Sequence, residues 1–80
     1  MRIKNLRPIH GRSANLARFD VELGEDVLIC GVSLRLAGGG SYYVLPAKHA
    51  GLKTAHFHPR LARQITEAAL AEYRSGASVN

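Results

Sequence analysis

Residues 17–36 read ARFDVELGEDVLICGVSLRL, and the spacing of their apolar side chains decides the fold. From Ala17 the chain alternates. Ala17, Phe19, Val21 and Leu23 fall on one face, and Arg18, Asp20 and Glu22 on the other. A period of two is that of a half-buried strand with one wet face. Gly24-Glu25-Asp26 then turns the chain. In the stretch from Val27 to Leu36, the most apolar of the chain, Leu28, Cys30, Val32, Leu34 and Leu36 share one face. Val27, Ile29, Gly31, Ser33 and Arg35 share the other. A strand apolar on one face and mixed on the other belongs in the interior of its sheet. Cys30, alternating with apolar neighbours, is expected to be a core side chain and not a nucleophile.

On the N-terminal side, Arg2 to Ile9 alternates loosely and breaks at Pro8, which suits a short strand followed by a loop through His10-Gly11-Arg12-Ser13. On the C-terminal side, Ala37-Gly38-Gly39-Gly40-Ser41 is a hairpin loop, since glycine supplies the positive φ that tight turns need. A phosphate-cradling glycine loop would feed a helix. These glycines feed Tyr42-Tyr43-Val44-Leu45, a strand that Pro46 ends. Tyr42 and Tyr43 must point to opposite faces, so at most one is core. The other is left to pack in a sheet or dimer contact, or to stack a base.

Ala47 to His58 reads as a loop, with an extended piece around Thr54–Phe57. Pro59 suits the first position of a helix, where its missing N–H does no harm. Leu61, Ala62, Ile65, Ala68, Ala69 and Tyr73 share one face of that helix, and Arg60, Arg63, Glu67 and Arg74 the opposite one. Ser75-Gly76 is the expected stop, leaving residues 77–80 as a frayed tail. The expected fold is therefore α+β: three to five antiparallel strands, then one C-terminal helix, in a single domain over residues 1–76. The helix should bury Leu61, Ile65, Ala69 and Tyr73 against Phe19, Val21, Cys30 and Val32, or against the neighbours on the opposite face.

Eighty residues allow one small domain with a modest core. A single cysteine excludes an internal disulfide and a multi-cysteine zinc site, so dimerisation is the most available source of further stability. At 46% hydrophobic and 21% charged, the composition is that of a folded protein. The longest apolar run, Val27 to Cys30, is far short of a membrane span, and the N-terminus has no apolar secretion signal. A cytoplasmic protein with no membrane association is expected.

The net charge of +5 is unevenly placed. Asp20, Glu22, Glu25 and Asp26 lie together around one turn, and the other acids are Glu67 and Glu72. Residues 1–19 and 27–66 contain no acid and hold nine of the basic side chains besides Lys4: the run from Arg2 through Arg7, Arg12 and Arg18, then Arg35, Lys48, Lys53, Arg60 and Arg63. Segregated positive charge points to a polyanion, nucleic acid first.

His49, His56 and His58 raise a metal site, but no carboxylate lies between Asp26 and Glu67 to complete one, so neither metal nor cofactor is expected. No paired carboxylates stand out for acid–base chemistry, so no catalytic residue, enzyme activity or small-molecule substrate is expected. Lys48 and Lys53 in the strand-to-helix loop, with Arg60 and Arg63 in the first turns of the helix, form the strongest constellation. A helix N-terminus already carries partial positive charge and free N–H groups that suit phosphate oxygens.

The order of these features resembles the stage V sporulation protein G (SpoVG) family, the small bacterial septation regulators. The likeness rests on a basic first strand, an alternating strand with an acidic turn, Pro46-Ala47-Lys48 after an aromatic strand, His58-Pro59, and a helix with Ile65, Ala68, Leu70 and a closing Glu72-Tyr73. It covers roughly residues 2 to 74. The chain departs from the family at Ala47, where a serine is usual, in the histidine-bearing loop from His49 to Phe57, and at Arg60-Leu61-Ala62. The resemblance implies a homodimer joined through its sheets, binding DNA and also RNA. Carried over by position, its binding determinants fall on Lys48, His49, Lys53, Arg60 and Arg63. The expected function is that of a nucleic-acid-binding regulatory protein. The rival reading is a non-catalytic interaction adaptor that uses its dimer surface or a sheet edge.

Overall fold

The computed structural model describes residues 1–11 and 14–79, with side chains to residue 76. Arg12 and Ser13 of the expected loop, and Asn80 of the expected tail, lie outside the described residues. Four strands run β1 (Arg2–Pro8), β2 (Asn15–Leu23), β3 (Val27–Leu36) and β4 (Tyr42–Leu45). They form one antiparallel sheet in sequence order, as a meander of short connections allows. A second, two-stranded sheet pairs β5 (Lys48–His49) with β6 (Leu52–Lys53), and α1 (Pro59–Val79) closes the chain. The fold is α+β.

The period of two in β2 does its expected work. Ala17, Phe19 and Val21 are fully buried, opposite Leu34 and Val32 of β3, with Val44 of β4 beside them and Ile65 and Ala69 of α1 above. Leu61, Ala62, Leu70 and Tyr73 pack around this centre from the helix, and Ile3 and Leu6 from β1. Burying side chains such as Phe19, Leu34 and Ile65 contributes about 1.5–3 kcal/mol each. The helix thus covers one face of the sheet, and among the described residues no helix or strand packs on the other face.

One face assignment in β3 is corrected. Phe19 pairs with Val32 but Val21 pairs with Ile29, so Asp20 alone faces both Cys30 and Gly31. This is a β-bulge at Gly31, whose φ of +74° is open to glycine and strained for other residues. An extra residue reverses the inside–outside parity of everything before it. Ile29 therefore packs against the core, while Leu28 and Cys30 are exposed on the open face. An isolated glycine in a strand pattern is the sequence signal for such a bulge. The expectation of a buried Cys30 followed from extending the alternation straight through it.

A second bulge lies directly across β2. Lys4 pairs with Asp20 and Arg7 with Arg18, so Asn5 and Leu6 together oppose Phe19, and Asn5 takes a φ of +53°. Asparagine tolerates that left-handed region better than most residues. Asp20 holds both irregularities: Asn5 Nδ2 donates to its Oδ2 at 2.9 Å, and the Gly31 N–H donates to its Oδ1 at 3.1 Å. The Asn5 hydrogen bond, the Gly31 N–H and the nearby Arg7 charge hold the Asp20 carboxyl below the usual range, against the opposing effect of burial.

Two further expectations change. Residues 47–54, read as loop, form the β5–β6 hairpin around Ala50 (φ +53°) and Gly51 (φ +80°). Positive φ at both central residues is the type I′ pattern. The Thr54 N–H and hydroxyl close it on the Ala47 carbonyl at 3.0 and 2.9 Å. Alanine in place of the usual asparagine or aspartate hid the turn, and the extended piece at Thr54–Phe57 is not a strand. The helix also passes through Ser75-Gly76 to Val79, where a stop and a tail were expected. Gly76 does not adopt positive φ, and a helical glycine costs only about 1 kcal/mol relative to alanine.

Replacing Asp20 by alanine strands two donors and should lower unfolding free energy in urea by about 2 kcal/mol. Because the folded carboxyl titrates below its unfolded value near 3.9, its contribution is complete above that pH. It is lost as pH falls through the lowered folded value. The acid loss of stability below about pH 4 should accordingly be shallower in Asp20→Asn. The exposed Cys30 should react stoichiometrically with a thiol reagent in the native protein, as fast as in urea to within an order of magnitude. A core thiol would react only on unfolding.

Candidate nucleic-acid interface

The type I′ turn sets Lys48 directly opposite Lys53, and His49 opposite Leu52, with all four exposed. Like charges in direct cross-strand register repel. Two of the expected site residues are thus brought together in a way that favours an anionic partner. The helix residues are not joined to them: no Cα of either hairpin strand lies within 8 Å of α1 among the described residues. Arg60 is exposed in the first turn. Arg63, also exposed, borders a groove of about 370 Å³ between α1 and β4, with Tyr42, Tyr43, Val44, Glu67 and Leu70. Lys53 faces a smaller recess beside His56, Phe57 and Ala62. Lys48, its cross-strand partner, borders the cleft on the open face of the sheet.

That open face carries residues that sequence reasoning did not group. Arg7 and Arg18 are cross-strand partners, a second like-charge pair. Arg18 lies opposite Ser33, and Arg35 opposite Tyr43. Arg18, Ser33 and Arg35 border a cleft of about 370 Å³ together with Lys48, while Tyr43 lies outside that lining and borders the groove between α1 and β4. The Arg35 guanidinium carbon lies 5.9 Å from the Tyr43 ring centroid, and its buried Nε has no hydrogen-bond acceptor. The acids of this face are already engaged. Glu22 accepts an ion pair from Lys4 at 3.0 Å, which with the hydrogen bond it makes holds its carboxyl below the usual range. Asp20 is held by Asn5 and Gly31. Among the described residues Lys4–Glu22 is the one side-chain ion pair, so Arg18, Arg35 and Lys48 meet no carboxylate.

The two tyrosines divide as their alternation requires. Tyr42 is half-buried against the core, with Arg74 over its ring at 5.8 Å, and Tyr43 is exposed on the open face. The His56 and His58 rings meet edge to face at 6.0 Å, but no three His, Cys, Asp or Glu side chains converge among the described residues. No helix among them is long and apolar enough to cross a membrane. No family model, curated protein or solved structure matches the chain.

If the Lys48–Lys53 register is repulsive, Lys53→Thr should raise Tm by roughly 1–3 °C in low salt. The gain should shrink as salt screens the pair, which thermal melts at two ionic strengths will read.

Proposed function

We propose that the protein is a non-catalytic regulatory protein that binds nucleic acid, in the manner the SpoVG resemblance implies, acting in the cytoplasm as a homodimer. The observation that carries this reading is a basic surface without neutralising carboxylates: Arg18, Arg35 and Lys48 around one cleft, with Lys53 facing Lys48 across the hairpin. A surface of this kind is at its most favourable beside phosphates, where each contact releases condensed counterions. His49 lies next to Lys48 in the hairpin, and Arg60 and Arg63 form a separate basic group at the start of the helix, where free N–H groups add to it. Two copies would present two such surfaces on one particle.

The second reading, an interaction adaptor, is favoured by the free edge of β4 and the groove beside it. An extended acidic segment could add to that edge as a further strand.

Mobility shift with duplex and single-stranded DNA and RNA tests the first reading. Binding should weaken steeply with salt. Lys48→Ala should weaken all sequences together and reduce the slope of log affinity against log salt by about one. No shift with any nucleic acid at low salt overturns it in favour of the adaptor.

A further inference from the structure

We infer that the cleft on the open face of the sheet is a backbone-phosphate subsite for single-stranded nucleic acid, with Tyr43 as the platform on which an adjoining base stacks. This deepens the nucleic-acid reading and rests on it.

The cationic groups belong to three different elements that only the folded sheet brings together. Arg18 comes from β2, Arg35 from β3 and Lys48 from the hairpin beyond β4, with the Ser33 hydroxyl between the first two. Arg7 of β1 continues the line on the far side of Arg18. The result is a track of positive charge across the strands and not a single point, which suits a chain of phosphates better than one small anion. Among the described residues no carboxylate competes for it. Arg35 makes no ion pair, its Nε is buried without an acceptor, and its guanidinium is held against the Tyr43 ring by packing. An anion entering the cleft would meet a preset fork and would not have to displace a carboxylate.

Tyr43 decides which nucleic acid fits. It is the cross-strand partner of Arg35, on the solvent face of an edge strand, with 37% of its surface exposed. Bases inside a duplex are already stacked and turn only their edges outward. A single strand offers free π-faces, and aromatic side chains on sheet surfaces take them up with little sequence preference. Tyr43 lies outside the cleft lining but beside Arg35, whose guanidinium carbon is 5.9 Å from its ring, so phosphate in the cleft and base on Tyr43 would be joined through Arg35.

Fluorescence anisotropy on the full chain tests this, with a labelled oligo-dT and oligo-rU of about twelve nucleotides and a duplex of equal length. Variants are Arg18→Ala, Tyr43→Ala, Tyr43→Leu and Tyr43→Phe, each checked for its fold by circular dichroism. The single strands should bind more tightly than the duplex. Tyr43→Ala and Tyr43→Leu should each weaken them about tenfold, with Tyr43→Phe close to the parent, as expected for one stacked base. Arg18→Ala should weaken binding and flatten its salt dependence. Should Tyr43→Ala lose the fold, the Leu and Phe pair still separates a flat ring from mere apolar volume. If single strands bind but are indifferent to Arg18 and Tyr43, while Arg60→Ala and Arg63→Ala release them, the cleft inference fails and nucleic-acid binding stands. Preference for the duplex with no effect of Tyr43 overturns it in the same way. Absence of binding to every probe overturns both.

Discussion

One carboxylate organises the sheet. Asp20 sits near the middle of β2, on the face away from the helix, and accepts hydrogen bonds from the neighbouring strands on both sides. Each of those strands carries one extra residue there, with a left-handed backbone at Asn5 in β1 and at Gly31 in β3. A bulge is an interruption of the ladder, and its unpaired groups need acceptors. Asp20 serves both interruptions with two oxygens. Burial alone would disfavour the charge, and the two donors with Arg7 outweigh it.

The inside of the protein depends on that arrangement as much as the outside. Without the bulge at Gly31, the alternation would carry Leu28 and Cys30 toward the helix and turn Ile29 outward. With it, Ile29 joins Phe19, Val32 and Leu34 beneath Ile65 and Ala69. A Cβ at position 31 would lie 3.4 Å from that of Ala47, an ordinary contact, so it is the positive φ that calls for glycine there. On the open face, Asp20 and Glu22 are consumed by local partners, which leaves Arg18, Arg35 and Lys48 without a counter-charge. The same polar contacts that shape the sheet thus determine how much positive field it presents to a ligand.

Most of the architecture was legible from residue spacing. The alternation from Ala17 to Leu23, the acidic turn, the glycine loop, the strand from Tyr42 to Leu45 and the start of the helix at Pro59 stand where their local chemistry puts them. The misreadings share a cause. Cys30, the hairpin turn at Ala50-Gly51 and the passage of the helix through Gly76 each depend on one backbone conformation that residue type does not impose. Alanine rarely takes positive φ, and glycine takes it or leaves it. The candidate site was partly legible for the same reason. Lys48 and Lys53 proved to be cross-strand partners, but Arg60 and Arg63 lie on a separate element. Arg18, Arg35 and Tyr43, far apart in the chain, gave no sign of forming a group.

The sequence by itself determined that this chain is a small α+β domain with a wet and a dry side to its sheet, because hydrophobic periodicity is a local property. It also determined that positive charge lies apart from negative, because that is simply order along the chain. Only the tertiary structure decided which charges become neighbours. Strand register and two bulges bring Arg18, Arg35 and Lys48 to one cleft while engaging the nearest acids elsewhere. Register is a relation between strands, and one residue of slippage at a glycine or an asparagine changes every pairing beyond it.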